Sequence, residues 1–293
     1  MNTPSGAQTK RTIIVAFRPA SNISNRQVVF EEGGGIRGLN IYIEQDSLFI
    51  GGWNENNDDG GLTTPWPYTY VSSEINTNTP YFAILQFDFD DLLGTGEVRG
   101  SLNGIDLGQL PGAGKLFPHS GDIGIGGQSN GACYKGGSCQ GGDNNFFDGY
   151  IAELISGNIV FNSAQMKIVH NYLAAKYNIT LPGGDDIYDY ETNHGYELFG
   201  IGQENAANSH YIAQGSGIIR IENPSGAGDG RYLMIGHDGA GIDDWKEYDE
   251  ADVPNNDPNI QRVERVWRVD KQGGNIGAVS VRLDTTKIPV KSF

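Results

Sequence analysis

The chain lacks a run of about 18 apolar residues, the length that a membrane-spanning helix needs, so hydropathy gives no transmembrane segment. The opening Met1-Asn2-Thr3-Pro4-Ser5-Gly6 has neither the basic nor the apolar part of a signal peptide. A strand-like run begins almost at once, Thr12 to Phe17, and the sequence stops at Lys291-Ser292-Phe293 without a closing signal, so both ends read as cuts from a longer protein. No cluster of lysine or arginine occurs: 36 acidic side chains stand against 20 basic ones, for a net charge of -16. Such a surface repels phosphate backbones and anionic lipid, which argues against nucleic-acid and membrane-surface partners. Divalent cations complement that charge, and solubility in salty or extracellular water explains it as well; calcium is the cofactor this composition admits.

Cysteine is nearly missing too. Cys133 and Cys139 stand alone, in CYKGGSC. Their spacing permits a local disulfide in an oxidising compartment, outside the cell or at its surface. Two free thiols are the other reading, because zinc needs four ligands and no further His or Cys lies close enough in sequence to supply them.

What the chain does have is 43 glycines set among short runs of Ile, Val, Phe and Tyr: TIIVAF, QVVF, LNIYIEQ, SLFIGGW, YFAILQFDF, EVRGSL, DIGIGG and GYIAELI. Runs of this length separated by Gly, Asn and Asp predict the strands of a sandwich, and the lack of crossover helices between them makes the sheets antiparallel. Asn103-Gly104 predicts a two-residue hairpin, since both positions tolerate positive φ. One helix follows the last strand. Ser163 is its expected cap, Met166, Val169, Leu173 and Tyr177 its apolar stripe, widened by Ile168 and Tyr172, and Asn178 its left-handed stop. A helix so placed is expected to seal an open face or edge of the sandwich.

The strings DIGIGG, FFDGYIAELI and FNSAQMKIVHNYLAAKYNITL resemble the end of a laminin-G-like, concanavalin A-like jelly roll found in secreted surface proteins of Bacteroidota. The resemblance implies two curved antiparallel sheets and raises the expectation of a structural calcium. LFGIGQENAAN, RYLMIGHDGAG and VERVWRVDKQGGNIGAVSVRLD resemble the small β-rich module of unknown function that follows such jelly rolls. The expected organisation is therefore mostly β: a jelly roll over 1–181, a linker over 182–195 whose PGGDDIYDYETNHG suits an exposed break, and a small β-rich domain over 196–293, cut short at its end.

Three loops could carry chemistry. GGWNENNDDGGLTTPWPYTY, residues 51–70, sets Trp53, Trp66, Tyr68 and Tyr70 beside Asn54, Asn56, Asn57, Asp58 and Asp59. Flat rings suit the C–H face of a sugar, and amides and carboxylates suit its hydroxyls, so Trp53, Asn54, Asn56, Asp58, Asp59, Trp66 and Tyr68 form the expected ligand site. The same residues can instead be core rings with turn-forming Asn, Asp and Gly between them. In GGQSNGACYKGGSCQGGDNNFFDG, residues 126–149, Asp143, Asn144 and Asp148, with Asn145 beside them, offer oxygens to calcium, although the EF-hand spacing is absent. A third stretch, 236–259, gathers Asp238, Asp243, Asp244, Glu247, Asp249, Glu250, Asp252 and Asp257 around Trp245, and reads as a solvated acidic loop or one stapled by calcium.

Enzyme signatures fail. A glycosidase needs two carboxyls facing across a cleft; Gln86-Phe87-Asp88-Phe89-Asp90 has two Asp on one strand face, without a Glu, and reads as a strand end. GQSNG, residues 127–131, lacks the strand-to-helix setting of a nucleophile elbow, and the glycine runs lack the helix that dinucleotide binding requires. His119, His170, His194, His210 and His237 are scattered and suggest no base or ligand pair. The expected function is a non-catalytic extracellular module of a larger adhesin-like protein, binding carbohydrate or another cell-surface ligand, with the other domains of the same chain as partners. A structural spacer and a polysaccharide-degrading enzyme are the alternatives.

Overall fold

In the computed structural model, which describes residues 8–55, 65–119, 121–243, 245–246 and 262–288, the chain divides into unit 1, Met1–Val160, and unit 2, Phe161–Phe293. Unit 1 contains β1 (Lys10–Pro19), β2 (Gln27–Gly33), β3 (Arg37–Glu44), β4 (Ser47–Asn54), β5 (Trp66–Glu74), β6 (Tyr81–Asp90), β7 (Thr95–Leu102), β8 (Ile105–Ala113), β9 (Ile123–Ile125), β10 (Gly131–Tyr134), β11 (Ser138–Gly141) and β12 (Gly149–Gly157). They form two five-stranded sheets, ordered β12-β1-β6-β7-β8 and β5-β4-β3-β2-β9, plus the separate hairpin β10-β11. The ladders of both large sheets are antiparallel, as the missing crossover helices require. The fold is a jelly-roll β-sandwich.

Alternation along the strands sets the layers. Ile13, Val15 and Phe17 of β1, Leu39, Ile41 and Ile43 of β3, Leu48 and Ile50 of β4, and Ala83, Leu85 and Phe87 of β6 belong to one core cluster between the sheets. The expected Asn103-Gly104 turn joins β7 to β8 with φ of 49° and 79°. The Asn103 side-chain oxygen also accepts from the Phe82 amide at 2.8 Å, tying the turn to β6.

The other face of β3, β4 and β5 is not bare. Tyr42, Phe49, Trp53 and Tyr68 form a second buried cluster there with Val28, and Ala132, Cys133 and Tyr134 of β10 close it. Cys133 and Cys139 are directly opposed in the hairpin and form the disulfide.

Unit 2 begins with α1 (Ser163–Tyr177), followed by α2 (Glu191–His194), β13 (Tyr196–Asn205), β14 (Asn208–His210), β15 (Ile212–Gly215), β16 (Ile219–Glu222), β17 (Arg231–His237), β18 (Trp245–Lys246), β19 (Arg262–Val263), β20 (Trp267–Gln272) and β21 (Ser280–Leu283). Its sheets run β14-β13-β17-β20 and β15-β16-β21, with β18-β19 as a short pair. Leu198, Tyr232 and Met234 pack with the helix residues Ala164 and Ile168, and a second cluster joins Phe199, Ile201 and Ile235 to Ile219 and Ile221.

The helix corrects two expectations. Its cap is Asn162, whose side chain accepts from the Gln165 amide while Gln165 returns a bond to the Asn162 backbone; Asn178 stops it in the left-handed conformation as expected. Its buried residues are Ala164, Ile168, His170, Asn171, Leu173 and Ala174, so the stripe through Met166, Val169 and Tyr177 is only half-buried. That face is spent within unit 2, against β13 and β14, and the expected lid on the sandwich is instead a layer of the second unit.

The segment 182–195 is likewise no exposed linker. Ile187 and Tyr188 are 6% and 0% exposed. Asn171 donates to the Asp185 carbonyl at 2.7 Å and accepts from the Ile187 amide at 2.9 Å, and His170 bonds the Asp185 carboxylate at 2.6 Å. The break between units falls at Val160/Phe161, ahead of the helix.

Candidate ligand-binding site

The expected sugar platform is taken apart by one bulge. The β4–β5 register shifts between Gly52 and Asn54, so Trp66 pairs with Asn54 while Tyr70 pairs with Gly51. One extra residue flips the face of the strand. Trp66 therefore points into the interlayer core, stacked on Phe87 at 6.0 Å, while Tyr68 and Tyr70 lie on the opposite face. Trp53 and Trp66 are 0% and 2% exposed, Asn54 1% and Tyr68 9%. Trp53 donates its indole N–H to the Gly34 carbonyl at 3.1 Å, and Tyr68 its hydroxyl to Asn40 at 2.8 Å. These four are core residues, not a surface patch. Asn56, Asp58 and Asp59 lie outside the described residues.

The expected calcium ligands are dispersed in role. Asp143 accepts the Asn130 amide at 3.1 Å, Asn144 donates to the Gly141 carbonyl at 3.4 Å, and Asp148 is exposed, with its backbone N–H on Gln27 at 2.8 Å. Among the described residues, the three His, Cys, Asp or Glu side chains whose ligand atoms lie within 4.8 Å of one another are Glu55, Cys133 and Cys139, and both sulfurs are committed to the disulfide. In the third loop Asp238 caps its own turn, accepting from the Ala240 and Val266 amides at 3.1 and 3.2 Å; Asp244, Glu247, Asp249, Glu250, Asp252 and Asp257 lie outside the described residues.

The sequence reading missed a cleft at the other end of the sandwich. Gln45 and Asp46 join β3 to β4 in a two-residue turn with both φ positive, 51° and 59°, a conformation that non-glycine residues adopt at a cost. Neighbouring loops hold it: the Gln45 and Asp46 amides donate to the Ser24 and Ile23 carbonyls at 2.9 and 3.1 Å, the Asp46 carbonyl accepts from Ile75 at 3.0 Å, and Ser24 donates its hydroxyl to the Asp46 carboxylate at 2.9 Å. Around this turn opens a cleft of about 590 Å³. Its walls are Ser21, Asn22, Ser24, Gln45, Asp46, Ser47, Glu74, Asn76 and Thr77, and Ile23 and Ile75 are its buried apolar members. Only the pairing of turn residues with both flanking loops reveals it, and no local motif encodes that.

A smaller cavity of about 380 Å³ is lined by Gly34, Gly35, Ile36, Arg37, Pro118, His119, Gly121 and Asn130. Arg37 donates to the Pro118 carbonyl at 3.2 Å, and His119 contacts the Gly121 carbonyl at 3.1 Å.

Among the described residues, the acids raised by burial, Glu31 and Glu191, lie in different units. Burial pushes the Glu31 carboxyl up to about 8, with a bond from the Ser129 amide opposing and the Glu32 charge adding to the shift. Glu31 is 0% exposed, beneath the β10–β11 hairpin, and accepts from the Ser129 amide. Glu191, raised by burial, belongs to unit 2. Asp90 of the QFDFD run accepts the Leu92 and Leu93 amides, as a strand end should. Ser129 precedes a hairpin rather than a helix.

Two histidine–carboxylate pairs went unforeseen: His170 with Asp185, which pins the segment after the helix, and His237 with Glu197 at 2.9 Å. His237 is buried, which pulls its pKa down, and the Gly239 amide donates to Nδ1, leaving Nε2 to donate to Glu197.

Comparisons with known proteins add little to this geometry. A family described as "Domain of unknown function (DUF8202)" matches residues 165–292, the span of the helix and the sheets of unit 2. No curated protein matches the chain. Solved structures with partial likeness include the native heptameric SAP-like pentraxin from Limulus polyphemus, 16% identical with a TM-score of 0.39, covering 58% of this chain and 73% of that one. The Ruminococcus gnavus IT-sialidase CBM40 bound to alpha2,3 sialyllactose has the same identity and TM-score and covers 58% and 84%. The binding domain of botulinum neurotoxin serotype G is 10% identical at a TM-score of 0.38 and covers 80% and 60%. At these values the likenesses carry no weight in assigning a ligand.

Proposed function

We propose that unit 1 is a non-catalytic binding module that holds a hydroxyl-rich ligand, a carbohydrate, in the cleft around the Gln45–Asp46 turn. The observation that carries this reading is the cleft's chemistry: hydroxyls, amides and two carboxylates on a rigid turn, over a small apolar floor. Sugar hydroxyls donate and accept at once, and mixed groups of this kind match them. The disulfide points to an oxidising compartment, so the module works outside the cell or at its surface, as one segment of a longer adhesin-like protein. A glycan array followed by titration calorimetry tests it: wild type binds a defined glycan, and Asp46→Ala and Asn76→Ala weaken binding at least tenfold. Unchanged affinity in both variants refutes the cleft.

A spacer role is the second reading, favoured by the complete burial of Trp53 and Trp66. It predicts a wild-type array without signal.

A further inference from the structure

Strands β3 and β4 are aliphatic toward the interlayer core and aromatic on their other side, where Tyr42, Phe49 and Trp53 meet Tyr68 and Tyr70. The rings form a connected array: Tyr42 stacks on Phe49 at 4.9 Å, Phe49 meets Tyr70 edge-on at 5.3 Å, Tyr70 stacks on Tyr68 at 5.5 Å, and Tyr68 reaches Trp53 at 5.9 Å. Two glycines let rings lie against the sheet. A Cβ at Gly38 would stand 2.8 Å from the Trp53 ring, and one at Gly51 would stand 2.8 Å from the Tyr68 ring. Asn40 and the tyrosine hydroxyls sit among the rings, and this mixture of flat apolar faces with neutral polar groups is what a pyranose chain requires.

The β10–β11 hairpin covers the array, with Tyr134 also lying under the Arg26 guanidinium at 4.0 Å and bonded to Gln128 and Asn145. Strand β10 is fully buried against it, β11 is fully exposed, and the two form a sheet of their own. A lone hairpin is marginally stable, and here the disulfide across directly opposed residues makes it one clipped piece. Asn40 donates to the Cys133 carbonyl at 2.9 Å, and Tyr42 accepts from the Lys135 amide at 3.0 Å. Glycines stand at both ends, Gly126 with φ of 73° before the hairpin, Gly131 with φ of 140° as the first residue of β10, and Gly142 with φ of 82° after β11.

We propose that the β10–β11 hairpin is a displaceable cover and that the aromatic face beneath it binds the sugar rings of a neutral oligosaccharide. The Asn40 amide and Tyr42 hydroxyl, two of the groups that hold the hairpin down, are the ones that bond sugar hydroxyls once it swings aside, so hairpin and ligand compete for the same partners. This surface is separate from the Gln45–Asp46 cleft, and either can fail alone.

Hydrogen exchange on the wild-type chain tests the cover directly. The Lys135 amide is expected to exchange at least a hundredfold faster than the core amide of Ile41; equal rates, which mean exchange only through global unfolding, overturn the proposal. Calorimetry with cellohexaose, xylohexaose and maltohexaose tests the face. Tyr134→Ala removes the ring that packs edge-on against Tyr42 from the hairpin side, and should tighten binding of at least one of the three by tenfold or more. A folded Tyr134→Ala chain that binds all three no better than wild type refutes the platform, and if that variant does not fold, the exchange result decides. Binding lost in a folded Trp53→Ala chain and kept in Asp46→Ala assigns the ligand to the covered face; the reverse assigns it to the cleft and overturns the proposal.

Discussion

Arg11 of β1 and Glu32 of β2 form an ion pair across the interlayer core, 4% and 1% exposed, with Arg11 Nε 3.0 and 3.1 Å from the two carboxylate oxygens and its Nη1 on Asn158 at 2.8 Å. Glu32 follows Glu31, which alternation turns to the opposite face, so adjacent acids meet opposite fates. One is neutralised by a guanidinium. The other, sealed under the hairpin, is driven toward its neutral form by burial.

Removing one member of the buried pair leaves the other charge without its counter-ion. Arg11→Met or Glu32→Leu alone should cost about 3–5 kcal/mol in urea unfolding, whereas the double variant should recover most of that loss. Simple addition of the two losses would contradict the coupling.

Glu31 sets a pH dependence with a definite sign. Its carboxyl has a folded value of about 8 against an ordinary 4.5, so between those limits the folded state keeps a proton that the unfolded state has released. Stability therefore falls as pH rises from 4.5 to 8, by about 1.4 kcal/mol per pH unit at most, and levels off above. Glu31→Gln should flatten that stretch of the urea-midpoint profile and be more stable than wild type at pH 8. A profile unchanged by the substitution would mean that Glu31 ionises normally.

Much of unit 1 is legible in the sequence because alternation, β-branched runs and the Asn103-Gly104 turn all act locally. The site is less so. Trp66, Tyr68 and Tyr70 share a face by simple alternation, and only the bulge opposite Asn54, a property of pairing between strands, separates Trp66 from the other two. The core reading of these rings was available from composition, but which ring joins which core was not. Trp66→Ala should cost about 3–5 kcal/mol through the cavity it leaves against Phe87. A loss below 1 kcal/mol would mean the ring is not interior.

Capping of α1 was half legible. Both Asn162 and Ser163 are good cap residues, and Gln165 decides between them: it stands three residues after Asn162, where it can return the bond. Asn162→Ala should destabilise unit 2 by about 1 kcal/mol, and Ser163→Ala by much less. Equal losses by thermal denaturation would reverse the assignment.

Which unit owns the helix was hidden because an apolar stripe states that a helix packs, not on what. The side chains that decide it are polar: Asn171 bonds both the Asp185 carbonyl and the Ile187 amide, which locks the segment after the helix against it and seats Ile187 and Tyr188 in the core of unit 2. A fragment starting at residue 182 strands those side chains and exposes the Leu198, Tyr232 and Met234 face that Ala164 and Ile168 cover. A fragment of 161–293 should therefore unfold cooperatively, while 182–293 should show no cooperative transition and should bind a hydrophobic dye. Cooperative unfolding of the shorter fragment at the same midpoint would return the helix to unit 1.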